Sequence, residues 1–395
     1  MTSKRIAILT LSVGSGHVRA AEVIQRALAD GNGPVEVRVL DALHTARFWF
    51  LWLYVRSYWW MLRYAPWLWR GLFERRQRKF HRSTAPHWVF RRGCVEVLKQ
   101  LQAFVPHLVV VTEIAAAEIA ALGRREGWFN APILAVQTDF QTEPPWAQPE
   151  IDVYCVGSDE AKAQLVGWGI SPNRVLFCGI PVDPVFALPF DKAELLRALG
   201  LDARRPVVLV MGGGMGPAPL DKIVESLELC GLPLQVLAMS GHDRDLKGRL
   251  EGLRGKLALD LHAFGWTETM PELMAVADLL ITKPGGLTGA EALAARLPML
   301  LTSPIPGPEE RHVRYLEQSG AAVYAQTVEE IPRVVHELLS SPQKLQAMRR
   351  QAHAWSRPDA AHAIAQVARA LLEKASYIDL LATPPARSGE SAYLM

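Results

Sequence analysis

Residues Ile281–Glu310 (ITKPGGLTGAEALAARLPMLLTSPIPGPEE) constrain this chain more than any other stretch, because an apolar strand ending at Thr282 runs through a Pro-Gly-Gly turn straight into a helix. A buried strand joined so tightly to a helix is half of a βαβ unit, so the chain has to build a parallel sheet flanked by helices. Pro284, Gly285 and Gly286 predict a turn tight enough for backbone N–H groups to approach an anion closely. The helix starting near Leu287–Thr288 adds unsatisfied amides and a positive dipole end, which together suit a pyrophosphate. Glu291, one turn in, can accept both hydroxyls of a ribose, as acidic residues do in nucleotide folds; a surface helix residue is the plainer alternative.

The alternation of strand and helix recurs twice. Ile6–Leu11, Val35–Leu40, Leu108–Thr112, Ile133–Val136, Val153–Val156 and Val175–Cys178 read as strands of a first sheet, with helices at Val18–Asp30, Val89–Phe104, Ala115–Glu126 and Asp159–Gly167. After the proline-rich connector Gly179–Phe190 a second series follows at Val207–Met211, Gln235–Ala238, Leu259–Phe264, Leu279–Thr282, Met299–Leu301 and Ala322–Tyr324. Two helices, Gln343–Trp355 and Asp359–Ala375, precede a Pro/Ser/Gly-rich tail. The fold class is therefore α/β, two Rossmann-like doubly wound domains. The expected division is 1–186, 187–355, a C-terminal helix over 356–376 that returns to the first domain, and a disordered tail over 377–395.

A length of 395 residues, half of them hydrophobic, is ample for two cores, and a net charge of +3 gives no reason to expect a nucleic-acid partner. Cys94, Cys155, Cys178 and Cys230 lie far apart with no C-x-x-C pair, which speaks against a zinc site and a disulfide framework. The apolar Met1–Val13 run reads as a strand ending in a glycine turn, not a signal peptide, and a cytoplasmic location is expected.

Phe48–Phe80 holds six of the twelve tryptophans. Arg56, Arg63, Arg70 and Gln77 recur every seven residues, so on a helix they would form one polar stripe against an aromatic face, with a kink at Pro66. The segment is too interrupted to span a bilayer. Trp49, Trp52, Trp59 and Trp60, with the basic cluster Arg75, Arg76, Arg78, Lys79 and Arg82, suit docking on an anionic membrane surface, over residues 48–82. An aromatic core helix or an oligomer interface is the alternative.

Three segments carry a family resemblance: GSGHVRAA (Gly14–Ala21); QTDFQTEPPW with GIPVDPVF; and WTETMPELMAVADLLITKPGGLTGAEAL with LPMLLTSPIPGPEE. Together they are similar to the monogalactosyldiacylglycerol synthases and processive diacylglycerol glucosyltransferases, relatives of the enzyme that adds N-acetylglucosamine to lipid I. The resemblance implies the GT-B fold, with two domains facing a cleft. It also implies an inverting transfer of galactose or glucose, without a metal or other cofactor, from UDP-galactose or UDP-glucose to diacylglycerol or a related lipid, by a protein peripheral on the inner face of the membrane. His17 is implied as the base or as an acceptor-site ligand, with Gly14, Gly16, Asp139, Glu143 and Trp146 on the acceptor side. The donor side is implied to comprise Gly212, Gly213, Gly214, Phe264, Lys283, Pro284, Gly285, Gly286, Thr288, Glu291 and Glu309. Gly212–Gly214 could equally just bring a helix close to its strand, and Phe264 or Trp266 could be a core residue. The chain departs from its relatives at Pro308, where they usually have glutamine, and at Glu143, where many have histidine. Another lipid acceptor, a UDP-sugar isomerase or a silent UDP-sugar-binding protein are the alternative readings.

Overall fold

The computed structural model describes residues 3–30, 34–212 and 218–373. The first sheet contains β1 (Lys4–Thr10), β2 (Val35–Asp41), β3 (Leu108–Val111), β4 (Ile133–Val136), β5 (Val153–Val156) and β6 (Val175–Phe177). All its pairings are parallel, in the order β2-β1-β3-β4-β5-β6. The second contains β7 (Val207–Met211), β8 (Gln235–Met239), β9 (Asp260–Phe264), β10 (Leu279–Thr282), β11 (Met299–Leu301) and β12 (Ala322–Tyr324), again all parallel, in the order β12-β11-β10-β7-β8-β9. Runs such as LVVV in β3 and VVLVM in β7 are buried at every position, the pattern of strands covered by helices on both faces.

In each sheet the strand order reverses between two neighbours, β1 and β3 in the first and β7 and β10 in the second. Ligands of open α/β sheets bind beyond the carboxyl ends of such strands. This topology therefore sends the loops after β1 and β10, which carry His17 and the Pro-Gly-Gly turn, to the cleft.

The chain crosses between domains twice. After β6 it passes through Gly179 into the second domain. It comes back after the Pro342–Trp355 helix, and the Ala360–Glu373 helix lays Ile364, Val367 and Ala368 on Ile6, Ile8, Ile24 and Leu28 of the first domain. Fully burying Ile364 and Val367 contributes about 1.5–3 kcal/mol each. The crossings touch: Gly179 has φ +94°, and a Cβ there would lie 2.6 Å from Arg357 Cβ. The expected tail over 377–395 lies outside the described residues.

Three local expectations change. The helix expected over Val89–Phe104 is two, His87–Gly93 and Val95–Phe104, broken at Cys94, where Gly93 lies so close to the Phe50 ring that a Cβ would sit 2.5 Å from it. The Phe48–Phe80 segment is a π-helical turn (Leu51–Arg56) and two helices (Ser57–Tyr64 and Pro66–Arg78) separated at Ala65, so the seven-residue arginine series is not one stripe on one helix. Cys155 and Cys178, distant in sequence, are free thiols with sulfurs 3.2 Å apart, one on β5 and the other just past the end of β6.

Candidate active site

A cavity of about 1170 Å³ runs between the domains, lined by His17, Arg19, Glu113, Asp139, Glu143 and Trp146 of the first and by Lys283, Gly285, Gly286, Thr288, Glu291 and Glu309 of the second. Its second-domain wall is built on β10. The chain leaves the sheet at Thr282, and the helix begins at Gly286, one residue earlier than the sequence suggested. Gly285 caps it with extended backbone (φ −70°, ψ 144°), so no positive φ is demanded there. The demand at Gly286 is for space: a Cβ would lie 2.2 Å from Thr138 O and 2.8 Å from Asp139 Oδ1, atoms of the opposite domain. Pro284 stays behind the turn, its carbonyl accepting from His312 Nδ1 at 3.0 Å. His312, buried, also brings Nε2 to 3.6 Å from Asp139 Oδ1.

Glu291 is buried in the first turns of this helix, and that burial pushes its carboxyl up to about 8, partly opposed by the positive charge of Arg19. Arg19 donates to Glu22 and, across the cleft, to Glu268, both at 3.2 Å.

Opposite stands His17, in the first turn of the Ser15–Ala29 helix, with Nδ1 2.8 Å from Thr138 Oγ1. Thr112 Oγ1 donates to the His17 carbonyl at 3.1 Å and so ties the end of β3 to this turn. Burial lowers the imidazole pKa, and the Asp139 carboxylate partly opposes that shift. A Cβ on Gly14 would meet nothing within 4 Å, and one on Gly16 would lie 3.5 Å from Leu287 Cβ of the Gly286–Ala294 helix.

The remaining expected residues divide. Glu143 pairs with Arg76, so Arg76 turns into the cavity instead of toward solvent. Trp146 is buried in the first-domain core and shows one face to the cavity. Glu309 accepts from Ile305 N–H at 2.7 Å and lies 3.4 Å from Lys283 Nζ, which fixes its orientation. Phe264 is not at the cavity: its ring packs on the second-domain core, and its carbonyl is occupied by the N–H and hydroxyl of Ser240, at 2.9 and 3.1 Å. Gly265, Trp266 and Thr267 take its place at the wall, with Trp266 stacked on His242 at 4.4 Å. A Cβ on Gly212 would press on Ala218 and Leu220 at 3.2–3.3 Å, which makes it a close-packing glycine; Gly213 and Gly214 lie outside the described residues.

Sequence reasoning missed Thr138, Arg19, His312 and Glu113. Glu113 follows β3 and caps the Ile114–Arg125 helix, Oε2 accepting from Ala115 and Ala116 N–H at 2.7 and 3.0 Å, and burial pushes its carboxyl up to about 8. Only its place after the switch-point strand signals a role.

Around the first-domain mouth of the cavity the surface is aromatic. Among the described residues, nine of the thirteen exposed large apolar side chains fall between Phe48 and Trp88. Trp52, Trp60 and Trp67 are 60%, 55% and 74% exposed, and Arg75 is exposed beside them. Trp49 instead stacks on Trp88 against the core, and Trp59 is half-buried against Tyr58. No helix among the described residues is long and apolar enough to cross a membrane.

Residues 17–182 match the monogalactosyldiacylglycerol (MGDG) synthase family model, and residues 207–364 the glycosyltransferase family 28 C-terminal domain. A processive diacylglycerol β-glucosyltransferase of Bacillus pumilus is 28% identical over 363 residues, 88% of this chain and 90% of that protein. One from Bacillus cereus is 29% identical over 368 residues, 90% and 91% of the two. Similar solved structures are MurG of Acinetobacter baumannii (16% identity, TM-score 0.58, covering 93% and 99% of the two chains) and a putative UDP-N-acetylglucosamine 2-epimerase of Listeria monocytogenes (13%, 0.64, 94% and 98%). Anabaena HepE in complex with UDP-glucose is a third (14%, 0.55, 94% and 98%). At these identities the structural likeness speaks for the fold alone, two parallel sheets facing a cleft as in GT-B. The two matched domains in this order, and relatives aligned over most of the chain, agree: an MGDG-synthase-type first domain is followed by a glycosyltransferase family 28 C-terminal domain, the make-up of a UDP-sugar hexosyltransferase of the GT-B fold.

Proposed function

We propose that this protein moves a hexose, glucose or galactose, from a UDP-sugar to diacylglycerol with inversion at the anomeric carbon, while docked on the anionic inner face of a membrane. The observation that carries this reading is the interdomain cavity, with a helix N-terminus and the Glu291 carboxyl on one wall and an aromatic opening with the exposed Arg75 on the other. In this reading the N–H groups at Gly285 and Gly286 and the Thr288 hydroxyl meet the pyrophosphate, Glu291 the ribose and Glu309 the hexose hydroxyls. The backbone beside Trp266 meets the base.

With Nδ1–H donated to Thr138 Oγ1, His17 keeps the Nε2 lone pair for the proton of the acceptor hydroxyl. The acceptor oxygen forms its bond to the anomeric carbon as the bond from that carbon to the UDP oxygen breaks on the opposite face. The electron pair leaves with UDP, whose growing charge falls on the helix N-terminus. Asp139 stabilises the imidazolium as it forms.

Purified protein is mixed with vesicles, with and without diacylglycerol, and a panel of UDP-sugars, and UDP release and new glycolipid are measured together. Diacylglycerol-dependent glycolipid from UDP-glucose or UDP-galactose is expected and names the donor. UDP release without glycolipid, or no release with either donor, overturns the reading.

A further inference from the structure

The Pro66–Arg78 helix belongs to the aromatic insertion of the first domain, yet its inner face lies on the 304–310 turn of the second. Trp69 Nε1–H donates to Pro306 O at 3.1 Å. Phe73, 2% exposed, packs under Gly307, where φ is +93° and an added Cβ would sit 2.7 Å from Phe73 Cδ1. Glycine is required here twice over, for its backbone angle and for the ring beneath it. Arg70 pairs with Glu310, whose other oxygen accepts from Gly307 N–H at 3.1 Å, and the Arg311 guanidinium lies 5.0 Å from the centre of the Phe73 ring. The turn held in this way carries Glu309, itself fixed by Ile305 N–H and Lys283.

We propose that Trp69 and Phe73 are positioning residues for the donor sugar: they hold the 305–309 turn where Glu309 meets the hexose hydroxyls. This rests on the reading of Glu309 as a hexose ligand. The ring under Gly307 sets the height of the turn and the indole hydrogen bond sets its direction. Loose support of a ligand by an ångström is enough to weaken it. The ribose and phosphate groups are held elsewhere, by the helix that starts at Gly286, and the base beside Trp266, so only the sugar-dependent part of binding passes through this contact.

The test uses the full chain with Trp69→Phe, which removes the N–H and keeps a ring against Tyr58 (4.9 Å in the native contact), and Phe73→Leu, which keeps an apolar filler. Calorimetry with UDP, UDP-glucose and UDP-galactose, together with donor KM and kcat, separates the terms. In both variants UDP-hexose affinity is expected to fall roughly fivefold, with donor KM rising in step and UDP affinity unchanged. Wild-type UDP-hexose affinity in a folded Trp69→Phe protein overturns the positioning role and leaves the donor reading standing. Wild-type protein that binds no UDP-hexose overturns both.

Discussion

If Glu291 receives the ribose as a carboxylate, donor binding must release a proton over the physiological range. Burial holds this carboxyl at about 8 in the free protein. About a tenth of the molecules then carry the charge at pH 7, half at pH 8 and nearly all at pH 9. The sign follows: the ligand selects the ionised form, so apparent affinity rises with pH, roughly fivefold from pH 7 to 8 and about tenfold to its plateau, and falls tenfold per unit below pH 7. UDP-glucose is the probe to use, because its pyrophosphate does not titrate in this range. Calorimetry in two buffers of different ionisation enthalpy should find close to one proton released per donor bound at pH 7 and almost none at pH 9. Glu291→Gln should flatten the profile and abolish the release. Arg19→Met should move the rise to higher pH, since the Arg19 charge favours the ionised carboxyl. A flat affinity between pH 6 and 9, with no buffer-dependent heat, would refute the reasoning and mean that the ribose is met by a neutral acid or by another group.

Four further outcomes are expected. His17→Ala should keep UDP-sugar binding and lose transfer by about 10²–10⁴-fold, and the acid limb of wild-type kcat/KM for the acceptor, measured at saturating donor so that Glu291 is already ionised, should lie below 6.5, because burial depresses the imidazole. Gly286→Ala should cost about 1–3 kcal/mol by thermal unfolding and disable transfer, because its Cβ meets Thr138 O, whereas Gly14→Ala, with nothing within 4 Å, should leave stability within about 0.5 kcal/mol. Glu113 stays protonated up to about 8 when folded but ionises near 4.5 when unfolded, so stability should be lost as pH rises between these values, and Glu113→Gln should shrink the fall in Tm from pH 5.5 to 8.5. Replacing exposed Trp52, Trp60 and Trp67 with serine should weaken binding to anionic vesicles in flotation while leaving Tm within about 2 °C.

The strands were legible because a parallel strand buried on both faces is an unbroken apolar run, and Ile133–Val136 or Met299–Leu301 needs no partner to be recognised. The Pro-Gly-Gly turn was legible in position but only partly in cause: its glycines read as room for an anion, while Gly286 also makes room for the Thr138 carbonyl of the opposite domain. What sequence could not supply was pairing across the cleft. The cluster 75–82 reads as uniformly basic, yet Arg76 finds Glu143 and turns inward while Arg75 stays in solvent. His312 carries no local signal, because its partners Pro284 and Asp139 come from different domains. Either Phe264 or Trp266, two residues apart, could have been the core ring on sequence, and the end of β9 turns Phe264 to the core and Trp266 to the cavity wall.

The two crossings that touch at Gly179 and Arg357 mean that no single cut separates this protein into its halves. A fragment ending after β6 would carry a complete first sheet yet expose Ile6, Ile8, Ile24 and Leu28, because their cover arrives from the far end of the chain. Such a fragment should need the 360–373 segment supplied in trans. The 360–373 helix is thus a latch on the first domain, and a truncation before Ala360 would unmake that domain while leaving the second sheet whole.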